Sequence, residues 1–240
     1  MNVKKMIAVT AASLCAAVTF AEGIESQNVV GYQTKSISAG FSLSTPTFLD
    51  VGADGLNLQN FKLADTAAGD STEMIQFLDD EGINTQIWIW LNANMGMEEG
   101  WYDFNTWEPI TETIVPSAGF LMNVSASVDM LIAGQVKSDK TTVTLPAGFS
   151  VVGNNTPNNI DIQSLKLGEA AAGDGTEMIQ FLDNEGINTQ IWIWLNANMG
   201  MEEGWYDFNT WEPIEYTVKA GEAFLINVAA DVEMTIPSAL

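Results

Sequence analysis

The sequence predicts an all-β chain: a signal peptide followed by two tandem homologous domains of β-sandwich or barrel-like form. Three observations carry that expectation. Short apolar runs rich in β-branched and aromatic residues recur between clusters of Asp, Gly and Asn. Long stretches with a helical apolar period are missing. Residues 69–110 return as residues 173–214 at a fixed offset of 104, and only two of those 42 positions differ, Ser71 against Gly175 and Asp80 against Asn184.

The chain opens with Lys4 and Lys5, then the short apolar run MIAVTAASLCAAVTF, then Thr19 and Ala21 at the small-residue positions before Glu22. This is the pattern of a secretory signal peptide over residues 1–21, too short for a comfortable membrane span. Leu14 precedes Cys15 where a lipobox needs a small residue, so lipidation is not expected. The first repeat domain is assigned to residues 22–136 and the second to 137–240. Beyond the near-identical block the match loosens. Ala39-Gly40-Phe41-Ser42 pairs with Ala147-Gly148-Phe149-Ser150 at an offset of 108, LNLQNFKL from Leu56 pairs with IDIQSLKL from Ile160, and FLMNV from Phe120 pairs with FLINV from Phe224. Two units of about 100 residues are a tandem pair of small domains rather than a solenoid.

Within each unit, EMIQFLD from Glu73 and TQIWIWLN from Thr85 are two strand-like arms joined by the turn formers DDEGIN, which predicts a β-hairpin. WYDFNTW from Trp101 reads as a further strand or extended arm. AGFLMNVS, DMLIAGQV and TTVTLPAGFSVVG supply more strands. LNLQNFKL and IDIQSLKL each permit one short helical turn after Asn or Asp. NANMGMEEG permits another, although its two glycines favour a loop.

Several of these motifs resemble a family of bacterial secreted tandem-repeat proteins. They are N-V-V-G-Y at 28–32, A-G-F in both copies, G-D-x-x-x-x-I-Q at 69–76 and 173–180, G-W at 100–101 and 204–205, G-E-A-F at 221–224 and I-P-S-A-L at 236–240. Ser117-Ala118-Gly119-Phe120 departs from the G-E-A-F form. The resemblance covers nearly the whole mature chain. It implies a secreted, β-rich, surface-associated protein and carries over no catalytic residue.

Composition removes many chemistries. The chain has no histidine, its eight basic residues are all lysine, and its net charge is −23. Loss of residues 1–21 would leave six lysines against 31 acids, a net charge of −25, and no cysteine. A His-containing triad or Cys–His pair is excluded. Zinc sites built on His and Cys are not expected. Nucleic acid and anionic membranes would meet a repelling surface without arginine.

Carboxylate and aromatic chemistry survive. Each repeat carries four tryptophans: Trp88, Trp90, Trp101 and Trp107, then Trp192, Trp194, Trp205 and Trp211. On a strand, Trp88 and Trp90 share one face about 7 Å apart, while Ile87, Ile89 and Leu91 share the other. The aliphatic face is expected to be core. For the indoles two readings stay open: core covered by WYDFNTW, or a platform on which sugar rings stack. Core is favoured because large aromatics are usually mostly buried. Glu98, Glu99, Asp103 and Glu108, with Glu202, Glu203, Asp207 and Glu212, read as a solvated face; a glycosidase would need two of them facing across a cleft. Asp79 and Glu81, with Asp183 and Glu185, resemble the start of a calcium loop. Trp90 stands where an EF-hand places its bidentate Glu, so a plain hairpin turn is favoured. No cofactor is expected, with Ca2+ at an acidic cluster left open.

The reading is a secreted, non-enzymatic structural or adhesive protein at or outside the cell surface, with the periplasm as the alternative compartment. Its expected partners are cell-surface or extracellular material, polysaccharide or a second copy of itself, with no nucleic acid and no membrane insertion. A carbohydrate-binding protein that uses the tryptophans is the alternative, and a carboxylate glycosidase comes third.

Overall fold

The computed structural model describes residues 30–81, 84–115, 118–186 and 188–238, so the signal segment lies outside the described residues. The chain is all-β, with four three-residue 3-10 turns and no α-helix among the described residues. The first ten strands are β1 (Val30–Ile37), β2 (Gly40–Ser44), β3 (Leu56–Asn57), β4 (Phe61–Leu63), β5 (Asp70–Leu78), β6 (Asn84–Leu91), β7 (Gly100–Asp103), β8 (Thr113–Ile114), β9 (Phe120–Val124) and β10 (Val128–Gln135). They form a five-stranded sheet in the order β2-β9-β5-β6-β7, a three-stranded sheet β1-β10-β4, and the short ladder β3-β8.

The second set repeats this plan: β11 (Thr141–Leu145), β12 (Gly148–Gly153), β13 (Ile160–Asp161), β14 (Lys166–Leu167), β15 (Asp174–Leu182), β16 (Asn188–Leu195), β17 (Gly204–Asp207), β18 (Thr217–Val218), β19 (Ala223–Val228) and β20 (Val232–Ile236). Their sheets run β12-β19-β15-β16-β17, β11-β20-β14 and β13-β18. No sheet draws strands from both sets, and the chain passes from one set to the other between Gln135 and Thr141.

The hairpin expected from EMIQFLD and TQIWIWLN is β5–β6, antiparallel, with Ile75 opposite Trp88. The short helical turns expected in LNLQNFKL and IDIQSLKL are the 3-10 turns Leu58–Asn60 and Ile162–Ser164, each capped by the preceding Asn57 or Asp161 side chain. Ala93–Met95 makes a third such turn. WYDFNTW supplies the expected further strand in its first three residues. Only Gly100–Asp103 is strand, because Asp103 turns the chain at once with its own side chain.

Alternation along β10 buries Val128, Met130 and Ile132 and exposes Asp129 and Leu131. The buried row faces Ile75, Trp88, Trp90, Phe120 and Met122 of the five-stranded sheet across one core. Both faces of β6 are buried, as the favoured sequence reading expects, and the main core lies on the indole side. The indoles point into the main core between the sheets, while Ile89 and Leu91 join a smaller cluster on the outer face with Tyr102, Met74 and Met97. Both rows are apolar.

Trp101 stands beside Trp90 in register, with ring centroids 5.2 Å apart and nearly edge-to-face. Its indole Nε1–H donates to Phe61 O on the opposite sheet at 2.7 Å. The Gln59 amide holds the same edge strand, donating to Trp101 O and Ile110 O and accepting from Trp101 N–H. These bonds cover backbone groups that an edge strand would otherwise present for pairing. Trp205, Leu165 and Gln163 repeat the arrangement.

The start of β5 is held by a buried carboxylate. Glu73, 2% exposed, accepts from Ala68 N–H and Gly69 N–H. Gly69 has φ +62, and a Cβ there would lie 2.0 Å from the Asn92 side chain, so the close approach requires glycine. Glu177, Gly173 and Asn196 match it.

The two domains meet reciprocally. Phe41 N–H donates to Asn184 O at 2.9 Å, and the equivalent Phe149 N–H donates to Asp80 O at 2.8 Å. Ser44 bridges to Glu222, and their equivalents Val152 and Ala118 bridge to each other. This is a pseudo-twofold contact of isologous type. On one side of it Lys35 Nζ donates to Gly221 O at 2.7 Å and to Ser44 Oγ at 3.1 Å. Burial lowers the Lys35 ammonium from its ordinary 10.5 to about 8; Glu222 acts against that shift and Lys219 adds to it.

Two outcomes are expected. Trp101→Phe leaves Phe61 O without its donor in the core and should lower the stability of the first domain by about 2 kcal/mol, read as a fall in its denaturant midpoint. Between about pH 8 and 10 the unfolded chain binds the Lys35 proton more tightly than the folded one, so stability should rise with pH by up to about 3 kcal/mol. Lys35→Met should abolish that rise. Tyr216 acts oppositely above its ordinary 10.0, since burial and then its bond to Glu222 raise its phenol in the fold.

Candidate functional site: two exposed aromatic loops

Six of the eight tryptophans are closed to any ligand. Trp88, Trp90 and Trp101, and Trp192, Trp194 and Trp205, are each at most 3% exposed. The favoured reading of the indole pairs as core holds, and the alternative of a sugar-stacking platform on them is corrected, as is the candidacy of Trp101 and Trp205 as ligand-binding residues. WYDFNTW does not fold across these rings. The three-stranded sheet covers them, with Phe61 against Trp101.

Trp107 and Trp211 are different, at 44% and 46% exposed. Each sits in a tight loop built by the aspartate before it. Asp103 Oδ1 accepts from Asn105 N–H and Thr106 N–H, both at 2.8 Å. These bonds hold the carboxyl below its ordinary value, the Thr106 backbone bond contributing most. Trp107 N–H then donates to Asp103 O at 2.9 Å, and Asp103 N–H donates to Glu108 O at 3.0 Å. Closing the loop this way forces Trp107 to φ +60, and Trp211 takes the same value.

A bulky residue at positive φ is an outlier and costs about 1–2 kcal/mol. Glycine would fill the position without strain. Both copies nevertheless hold a half-exposed indole there. Phe104 and Phe208, on the same loops, are exposed as well, and Met95 and Met199 add further exposed apolar surface in each domain. In the second domain a shallow depression of about 590 Å3 lies beside the loop, lined by Gln190, Ile191, Asp207 and Phe208 among others. Strain together with exposed aromatic surface makes these loops the candidate contact site.

The acidic candidates do not gather around it as a facing pair of buried acids. Glu98, Glu99 and Glu108 are exposed, as are Glu202, Glu203 and Glu212. Glu99 lies 3.8 Å from Lys62 and Glu203 lies 3.6 Å from Lys166, so both serve weak surface pairs. Asp103 and Asp207 are committed to the loop turn. In the proposed calcium segment Asp79 accepts from Glu81 N–H and Asp183 from Glu185 N–H, which is turn chemistry. Among the described residues no three His, Cys, Asp or Glu side chains gather as a metal-binding group. The buried carboxylates, Glu73 and Glu177, were not expected from the sequence. The signal that could have found them is the repeat of Ala-Gly-Asp-x-Thr-Glu beside Asn-Ala-Asn.

No family model, no curated protein and no solved structure matches this chain. No helix among the described residues is long and apolar enough to cross a membrane.

The backbone at position 107 gives a direct test. Trp107→Gly should be more stable than Trp107→Ala by about 1 kcal/mol, because only glycine is at ease at φ +60. Urea melts of the two variants measure the difference, which would favour alanine if φ were negative.

Proposed function

We propose that the chain is a secreted, non-enzymatic adhesive protein that grips material at or outside the cell surface through its two aromatic loops. One observation carries this: the same strained, half-exposed tryptophan, Trp107 and Trp211, is displayed once by each domain. An indole face and a neighbouring phenylalanine suit the apolar faces of sugar rings, so polysaccharide is the favoured material. Carbohydrate binding is thus the means of adhesion, and it moves from the buried tryptophan pairs to the loop tryptophans. The reciprocal contact between domains holds the two loops in a set relation, and linked sites raise effective concentration without new contacts.

The test is retention of the mature chain on insoluble polysaccharide and on cell-envelope material. Trp107→Gly or Trp211→Gly alone should weaken retention at least tenfold through lost avidity, and the double variant should abolish it. Circular dichroism should show all three variants folded. Retention of the double variant at the wild-type level would sink the reading.

A further inference from the structure

At the domain contact, a cleft of about 590 Å3 opens on the side of the pseudo-twofold axis that carries Lys35. The first domain contributes Lys35, Ser42 and Gln33 to it, and the second contributes Asn159, Lys219 and Glu222. Two of the six lysines that follow residue 21 therefore meet in one concave place, on a chain whose net charge is −23.

The pseudo-symmetry provides an internal comparison. At the equivalent positions the other side of the axis has Val143 for Lys35, Val152 for Ser44, Val115 for Lys219 and Ala118 for Glu222. The same backbone contact forms there, with Ala118 bridged to Val152. An apolar set therefore satisfies this contact, and a buried ammonium is not needed to join the domains. Desolvating an ammonium is costly, and an apolar replacement of such a group is often neutral or stabilising. A polar set kept where an apolar one fits calls for another role.

The unspent hydrogen-bonding groups indicate what that role is. Lys35 uses two donors, on Ser44 Oγ and Gly221 O, of the three it has. Ser42 Oγ is buried without a hydrogen-bond partner. Asn159 Oδ1 accepts from Ala220 N–H, which leaves its amide group as a donor. Glu222 is already occupied by Tyr216 Oη–H at 2.6 Å and Lys219 N–H at 2.8 Å. The cleft thus offers positive charge and hydrogen-bond donors to a ligand. Its volume suits a mono- or disaccharide, within the roughly 300–1,000 Å3 usual for small-ligand sites. The acidic surface outside it repels polyanions.

We propose that this cleft binds a saccharide bearing a single carboxylate, with the carboxylate between Lys35 and Lys219 and its hydroxyls met by Ser42, Asn159 and Gln33. The saccharide class rests on the function proposed above; the single negative charge rests on the cleft alone. Lys35 faces Glu222 and Lys219, with Tyr216 behind Glu222, and its lowered affinity for protons makes binding fall as pH rises past about 8.

Calorimetric titration of the mature chain with a glucuronic acid disaccharide carrying one carboxylate, and with its neutral methyl ester, tests this. The acid should bind at pH 7 and the ester at least tenfold more weakly. Lys219→Gln, an exposed substitution, and Lys35→Met, which follows the apolar Val143, should each cost at least tenfold in affinity. Equal binding of acid and ester, no binding of either, or wild-type affinity in both lysine variants would overturn the proposal. Failure here with retention on polysaccharide intact removes only the cleft, whereas the reverse result removes only the loops.

Discussion

The hydrogen bond from the Trp101 indole to Phe61 O joins the two larger sheets of the first domain across an otherwise apolar core, and its counterpart from Trp205 ends on Leu165 O, just before β14. A buried indole N–H must find an acceptor, and a strand carbonyl turned inward must find a donor. This single pairing satisfies both. Trp90 and Trp194 then lie against the bonded indoles, and Gln59 and Gln163 hold the strands that carry them. The positions that would disturb this arrangement lie inside the near-identical block or directly opposite it. Duplicating the domain therefore meant duplicating those residues.

Much of this was legible in the sequence. The β5–β6 hairpin followed from two apolar arms around DDEGIN, and the 3-10 turns followed from Asn57 and Asp161 ahead of short apolar segments. The face of β6 that meets the main core was not legible. Period-two alternation separates Trp88 and Trp90 from Ile89 and Leu91, yet both rows are apolar and the pattern is silent on which one the second sheet covers. Glu73 was hidden for a different reason. A carboxylate beside a turn reads as solvated, and its burial depends on two backbone N–H groups brought to it by the close approach of Gly69 to Asn92. Among the candidate site residues, the sequence reading put the sugar platform on Trp88 and Trp90 and read WYDFNTW, which carries Trp107, as their cover. Only the Asx turn at Asp103 and the positive φ that follows it set Trp107 apart.

The two differences within the repeated block fall at informative places. Ser71 takes φ 76 in the irregular start of β5, where Gly175 takes φ 90, so the second copy holds the residue better suited to that backbone. Asp80 and Asn184 sit at hairpin turns whose carbonyls accept from the other domain. Both side chains are exposed, so the main-chain contact tolerates the change. Divergence is greater in the flanks, where Lys35, Ser44 and Glu222 oppose Val143, Val152 and Ala118. The axis is thus intact in the backbone and broken in the side chains.

The pairing of β1 with β10 has a mechanical meaning. Val30 lies opposite Gln135, and in the second domain Thr141 lies opposite Ile236, so the chain enters and leaves each domain at one end of an antiparallel pair. A load applied between those ends would peel the pair apart one rung at a time, whereas strands pulled in shear resist through all their rungs together. Each domain would yield first at its own entrance and pay out chain under low force. The aromatic loops, beyond the edge strand of the five-stranded sheet, would be the last parts to feel the pull.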